Sequence, residues 1–195
     1  MGCIEFFIEH AETKEVCKLL QEKSHDEILA WETETASEFS PGPVLDEEIL
    51  QRQIISPIHF DHATQKLTAM AFDDASGKGL SVNRTDYDNE THLTDAGIAR
   101  VQQYNLNNDR QREFWGLISL VSSEVRAITV TTPDTAPVRG FAIYDTANET
   151  SKSHADICQI VKKAQGRSVR SKLLDLGNQF IAAQTGGPPE FFTQS

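Results

Sequence analysis

Apolar and polar positions alternate at the start of the chain, with Ile4, Phe6 and Ile8 set against Glu5, Phe7 and Glu9. A period of two predicts a short strand with one strongly apolar face over residues 3–9. From residue 11 to about 31 the spacing of Val16, Leu19, Leu20, Ile28 and Leu29 predicts a helix, with acids early, where the helix dipole favours them. Ser40-Pro41-Gly42-Pro43 ends this region, because proline and glycine disrupt regular backbone pairing. A subdomain boundary is expected there.

Beyond it, residues 46–53 read as a short helix ending before Pro57, and Ile54, Ile55 and Ile58 as an extended approach to His59. Strands are expected over residues 67–72 and 79–84, separated by the turn-forming Asp73-Asp74-Ala75-Ser76-Gly77-Lys78. A helix follows over residues 94–104, with Thr94 as its N-cap. Residues 114–130 supply core mass as one or two strands. Residues 132–137 read as a loop and 138–144 as a strand with Phe141 and Ile143 facing one way. Two helices, over 153–164 and 169–183, precede a Gly-Gly-Pro-Pro tail expected to fray. Strands in the middle and helices at both ends predict an α+β fold: a central, mostly antiparallel sheet with N- and C-terminal helices. The expected organisation is an acidic strand-helix extension over residues 1–44, a body over 45–183 and a flexible tail over 184–195.

Charge sharpens that division. Residues 1–50 hold 13 Asp and Glu against 3 Lys, whereas the last 35 residues hold 2 acids against 5 bases, in a chain of net charge −11. Overall acidity argues against a general nucleic-acid binder, which needs a basic face to neutralise phosphates. An acidic end instead favours a protein partner, with charge steering suiting a basic one, met through Phe6, Phe7, Leu19, Leu20 and Trp31. No stretch approaches the roughly 18 apolar residues of a membrane helix, and the start has no basic-then-apolar leader. Met1-Gly2-Cys3 lacks the Ser or Thr that acylation wants at the sixth position, which is Phe6. Cys3, Cys17 and Cys158 form neither a C-x-x-C pair nor an even set, which fits a reducing, cytoplasmic setting with no disulfide framework or thiolate zinc site.

Pro57-Ile58-His59-Phe60, Ala71-Phe72, Gly79-Leu80-Ser81-Val82-Asn83-Arg84 and His154-Ala155-Asp156-Ile157 together resemble a pattern in small, functionally uncharacterised bacterial proteins. The resemblance covers about residues 55–175 and implies a bacterial origin without an activity. A second likeness is thinner. Arg84, Ser122-Ser123 and Glu124 follow the residue order of ADP-ribosyltransferase-like folds, but Ser122 stands where many such enzymes carry the first acid of Glu-x-Glu.

The polar residues in the first pattern are the candidates for chemistry. Arg84, at the end of an apolar strand, is placed to grip a phosphate or carboxylate. Asp145 holds the analogous place after residues 141–144, and His59 and His154 offer acid-base groups that titrate near neutrality. The alternative for each is structural: Arg84 paired to a carboxylate, Asp145 capping a turn, the histidines tying loops down. His59 and His62 stand three apart, but no further ligand lies at a recognised spacing, so no metal site is expected. No phosphate-binding loop, nucleophile elbow, H-E-x-x-H or dinucleotide fingerprint occurs, and no cofactor is expected. The expected function is a non-catalytic interaction or regulatory component of a bacterial cytoplasm. The alternative is an enzyme or binding domain for a phosphorylated or nucleotide-like small molecule, using His59, Arg84, Asp145 and His154.

Overall fold

The computed structural model describes residues 2–131 and 136–184. Most of the expected loop over 132–137 and all but one residue of the expected tail lie outside the described residues.

A five-stranded sheet, antiparallel at every pairing, forms the centre, and the fold is α+β. Its order is β5 (Glu113–Val121), β1 (Ile49–Ser56), β4 (Leu80–Arg84), β9 (His154–Gln159), β8 (Phe141–Tyr144). Two small ladders flank it: β2 (Phe60–Asp61) with β3 (Lys66–Leu67), and β6 (Thr129–Val130) with β7 (Val138–Arg139). Strands present alternate side chains to opposite faces, so each inner strand writes two patterns at once. On one face Leu50, Leu80, Val82, Ile118, Phe141, Ile143 and Ile157 form the main core under Val169 and Leu173 of α6 (Lys163–Ala183) and Phe72 of a 3-10 segment, Ala69–Ser76.

The other face is covered only at its two ends. Over β8 and the adjoining part of β9 sit α1 (Cys3–Glu9), α2 (Val16–Leu20) and α3 (His25–Trp31), whose Phe6, Cys17, Leu20, Ile28 and Trp31 pack on Ala142, Tyr144, Cys158 and Ile160. Over β5 sits α4 (Glu90–Leu106), with Leu93 and Val101 against Phe114 and Leu117. Between these two covers the sheet presents Ser81, Asn83, His154 and Asp156, none of them sealed. The fold thus builds a cleft with a polar floor.

Several local expectations give way to tertiary packing. Residues 3–9 are helical: Cys3 and Phe6 are the buried pair, at helical spacing, and Glu5 Oε2 accepts from the Gly2 amide at 2.9 Å. The single helix expected over 11–31 is α2 and α3, divided before Ser24, whose hydroxyl accepts from the Glu27 amide to start α3. Residues 49–56 are strand rather than helix, and 154–159 likewise. Both β1 and β9 are interior strands whose second face is covered for part of their length, so apolar residues follow one another there and the period of two holds only in part. Asn89, not Thr94, caps α4 by accepting from the His92 amide. Phe141 and Ile143 do share a face, as their spacing implies.

The segment expected to be an acidic extension is fastened to the body. Glu32, 5% exposed, accepts from Arg126 Nε at 2.9 Å, from Arg139 Nη2 and from the Ile143 amide at 2.8 Å. Tyr144 returns a hydrogen bond to the Ile28 carbonyl at 3.0 Å. Phe6 and Trp31, expected as partner contacts, are therefore core residues, at 2% and 5% exposure, with their rings in mutual contact. Leu20 is sealed as well, and Phe7 is half-buried against Tyr144. Cys3, Cys17 and Cys158 converge here as free, buried thiols, and burial pushes Cys3 up to about 12.

Candidate functional site

Two of the four candidate residues form a closed structural knot. Arg84 is 1% exposed and ends β4 on the core side. Its Nε and Nη2 meet Glu48 Oε2 and Oε1 at 2.6 and 2.7 Å, its Nη1 meets Asp145 Oδ2, and Nη1 also donates to the Gly42 carbonyl at 2.7 Å. Asp145 in turn accepts from Ser40 Oγ at 2.6 Å and from the Ala147 amide at 3.0 Å. Every strong donor direction of the guanidinium is taken, so Arg84 is not an anchor for an incoming anion. The knot ties the Pro-Gly turn to the sheet, and the sequence signal for it is Glu48 rather than any motif.

His59 is remote from Arg84. Leu50 pairs with Arg84, while His59 binds at Ile55, five residues along β1, which is roughly 16 Å at the rise of a strand. Its Nδ1 accepts from the Ile55 amide at 3.2 Å, and its own amide donates to the Ile55 carbonyl at 2.7 Å. Burial, with Arg52 nearby, pulls the imidazole down to about 4, so the ring is neutral and occupied in closing this turn. His62 is exposed, its ring edge-on to Phe60. Among the described residues no group of three or more His, Cys, Asp or Glu is placed to hold a metal. Ser122 is buried and donates to the Glu48 carbonyl, and Glu124 is an exposed residue of α5 (Ser122–Arg126), so the ADP-ribosyltransferase-like order has no catalytic strand behind it.

His154 does reach the open face. It pairs across the sheet with Asn83, and Asp156 with Ser81, placing four polar side chains on the cleft floor. Thr146 joins two of them: its hydroxyl donates to Asp156 Oδ2 at 2.8 Å and lies 2.9 Å from His154 Nδ1. A hydroxyl has one hydrogen, and this one is committed to Asp156, so His154 Nδ1 is the donor toward Thr146. The Thr146 carbonyl, 3.2 Å from Nδ1, can only accept and requires the same tautomer. The neutral ring therefore carries its free lone pair on Nε2, and Nε2 has no partner among the described residues. Gly79 makes room at this point. Its φ is +101°, and a Cβ there would stand 2.9 Å from the Asp156 side chain.

On the α4 side of His154 lies a cleft of about 360 Å³, lined by Arg52, Gln53, Ser81, Asn83, Arg100 and His154 among others. Arg52 and Gln53 are 8% and 6% exposed, and Arg52 Nε and Gln53 Oε1 are buried without a hydrogen-bond partner among the described residues. Arg52 Nη1 donates to the Ser81 carbonyl at 2.9 Å, and Nη2 lies 3.9 Å from Asp74. Burial pulls the Arg52 guanidinium down to about 10; Arg100 adds to the effect while Asp74 and Asp156 oppose it. Arg100, exposed on α4, makes no ion pair or hydrogen bond among the described residues. The acid on this rim, Asp88, is engaged by His92 Nδ1 at 2.7 Å and by the Asn89 amide at 2.8 Å. On the other side of His154 a larger cleft of about 650 Å³ runs beneath α1 and the 36–39 segment. Ser81 and His154 line both.

Sequence reasoning thus reached His154 and missed Arg52, Arg100, Thr146 and Asp156. The signal for Asp156 was present: His154 and Asp156 alternate with Ala155 and Ile157, the pattern of a strand with one polar face. Among the described residues no helix is long and apolar enough to cross a membrane. No family model, curated protein or solved structure matches this chain.

Proposed function

We propose that this protein is a binding domain for a small anionic molecule, of phosphorylated or carboxylate character, held between α4 and the polar face of the sheet. The observation that carries the reading is Arg100, which makes no ion pair among the described residues, over a cleft whose lining also includes Arg52, with a buried Nε that has no hydrogen-bond partner among them. Arg100 acts on the buried Arg52 as a like charge, and an anion held between them would offset that repulsion and give the unpartnered Arg52 nitrogen an acceptor. Asn83 adds an amide donor, while Gln53 Oε1 and the Nε2 lone pair of His154 are acceptors that suit hydroxyl groups elsewhere on the same ligand rather than its anionic oxygens. Binding without turnover fits a sensing or regulatory component. Recognition of a protein through Phe6 and Trp31 has less to support it, because both side chains are occupied in the core.

Isothermal titration with inorganic phosphate and a set of phosphomonoesters and dicarboxylates tests the reading. Arg100→Ala removes an exposed, unpaired side chain and so preserves the fold. It is expected to weaken binding about tenfold or more, the worth of one charge-assisted hydrogen bond at about 1.5–3 kcal/mol. If no anion binds, or if Arg100→Ala binds as well as the parent, the assignment fails.

A further inference from the structure

The two clefts share Ser81 and His154, and their walls differ in chemistry. The smaller one is the arginine compartment. The larger has apolar walls from Phe7, Val16, Ala36 and Phe39, over a floor that includes Thr146 and Asp156. At about 650 Å³ it lies well within the size range of small-molecule sites, about 300–1,000 Å³, and the smaller cleft falls near the lower end of that range. Phe39, one of its lining residues, is 41% exposed, which leaves part of its ring available for stacking. The charged side chains of this cleft other than Asp156, namely Glu12, Lys14, Glu38 and Lys78, are all exposed, so the Asp156 carboxylate is the charge that its floor presents, an acceptor for the hydroxyls of an uncharged group.

Resting on the anion-binding reading above, we propose that the ligand is a nucleoside monophosphate, its phosphate between Arg52 and Arg100 and its nucleoside in the larger cleft. The junction matches a sugar. Two acceptors stand there, the Asp156 carboxylate and the unprotonated Nε2 of His154, and ribose hydroxyls are donors that satisfy both. A flat base then lies against Phe7 and Phe39, where stacking on an aromatic contributes about 1–3 kcal/mol and tolerates any base. Free phosphate fills the smaller compartment and leaves the larger empty, and a sugar phosphate reaches only the junction.

The test compares fragments on the full chain. Affinities are measured by titration for inorganic phosphate, ribose 5-phosphate, adenosine and the four nucleoside monophosphates. The monophosphates are expected to bind at least tenfold more tightly than ribose 5-phosphate, and adenosine to bind weakly. Phe39→Ala is expected to remove most of the monophosphate advantage while leaving ribose 5-phosphate unchanged, because Phe39 is an exposed side chain on a loop. Equal affinity for nucleoside monophosphates and ribose 5-phosphate, with both still sensitive to Arg100→Ala, overturns the nucleotide assignment and leaves the anion site standing. A monophosphate preference untouched by Phe39→Ala also overturns the proposed placement. Failure of every phosphorylated probe to bind removes the anion site itself.

Discussion

Glu48 clasps Arg84 with both carboxylate oxygens, Oε2 to Nε at 2.6 Å and Oε1 to Nη2 at 2.7 Å, where both side chains are sealed from solvent. Asp145 completes the set from the end of β8, so one cation neutralises two buried anions contributed by separate segments. Removing only the cation strands both carboxylates. Arg84→Met is expected to cost about 3–5 kcal/mol in chemical denaturation, the usual penalty for breaking a buried pair from one side. The double variant E48Q/R84M is expected to lose clearly less than the sum of its single variants, because each change relieves the charge the other exposes. Additive losses would show that Glu48 and Arg84 act independently.

The acidic segment over residues 1–44 is expected to be indispensable to folding. Deleting it bares Ala142, Tyr144, Cys158 and Ile160, removes the Glu32 anchor for Arg126 and Arg139, and strips the Ser40 and Gly42 contacts from the Arg84 knot. Each large apolar side chain returned to water forfeits about 1.5–3 kcal/mol, against a total domain stability of about 5–15 kcal/mol. Residues 45–184 expressed alone should be insoluble, or lack a cooperative melting transition. A soluble, cooperatively folded product would restore the picture of a separable extension.

The α+β class was legible because it depends on coarse composition: β-rich stretches in the middle and helical ones at the ends. The misread elements share one physical origin. Ile49–Ser56 and His154–Gln159 are inner strands with both faces covered for part of their length, so apolar residues occupy neighbouring positions and the alternation blurs. In residues 3–9 the opposite happened. The phenylalanines sit side by side, and alternation would turn Ile4 and Ile8 inward with Phe6, whereas helical spacing turns Cys3 inward and leaves Ile8 exposed. Of the site, His154 was visible as a polar residue in a recognisable string. Arg52 and Arg100 were not, since only pairing β1 with β4 and laying α4 across β5 brings residues 48 positions apart to one cleft. Arg84 and Asp145 drew notice as polar residues at strand ends, which is also where structural ion pairs collect.

His59 should give the folding stability an acid-side slope. The imidazole titrates near 6.5 when unfolded and at about 4 when folded, since burial disfavours the charged ring and the Arg52 guanidinium repels it. As pH falls from about 6.5 toward 4, the unfolded chain takes up a proton that the folded chain refuses. The contribution is therefore present above pH 6.5 and lost on acidification, reaching about 3 kcal/mol at most by pH 4. His59→Asn retains an acceptor without a titrating ring and should flatten that part of the profile. An NMR titration placing the folded His59 near 6.5 would contradict this account.

Gly79→Ala is expected to injure both the fold and the cleft. A φ of +101° strains any side-chain-bearing residue, and the new methyl would meet Asp156 at 2.9 Å. Relief must come from displacing Asp156, which breaks its bond from Thr146. The stability loss should be about 1–3 kcal/mol, with nucleoside monophosphate affinity falling alongside it, since Asp156 is the acceptor placed for the sugar. A variant as stable as the parent would mean that the strand end is free to shift.

The tautomer of His154 decides whether it can receive a proton from a ligand, and it can be read directly. Two neighbours dictate the same state: the Thr146 hydroxyl has already given its hydrogen to Asp156, and the Thr146 carbonyl has none to give. At pH 8, nitrogen NMR of the imidazole should therefore show a protonated Nδ1 and an unprotonated Nε2. Thr146→Val removes the hydroxyl and keeps the carbonyl, so the tautomer should survive while stability falls by about 1 kcal/mol for the lost bond to Asp156. If Nε2 carries the proton in the parent protein, His154 faces the cleft as a donor, and ribose hydroxyls would lose one of their two acceptors. If the tautomer instead switches in the Thr146→Val protein, the hydroxyl rather than the carbonyl sets it, and Thr146 becomes the residue through which Asp156 controls the site.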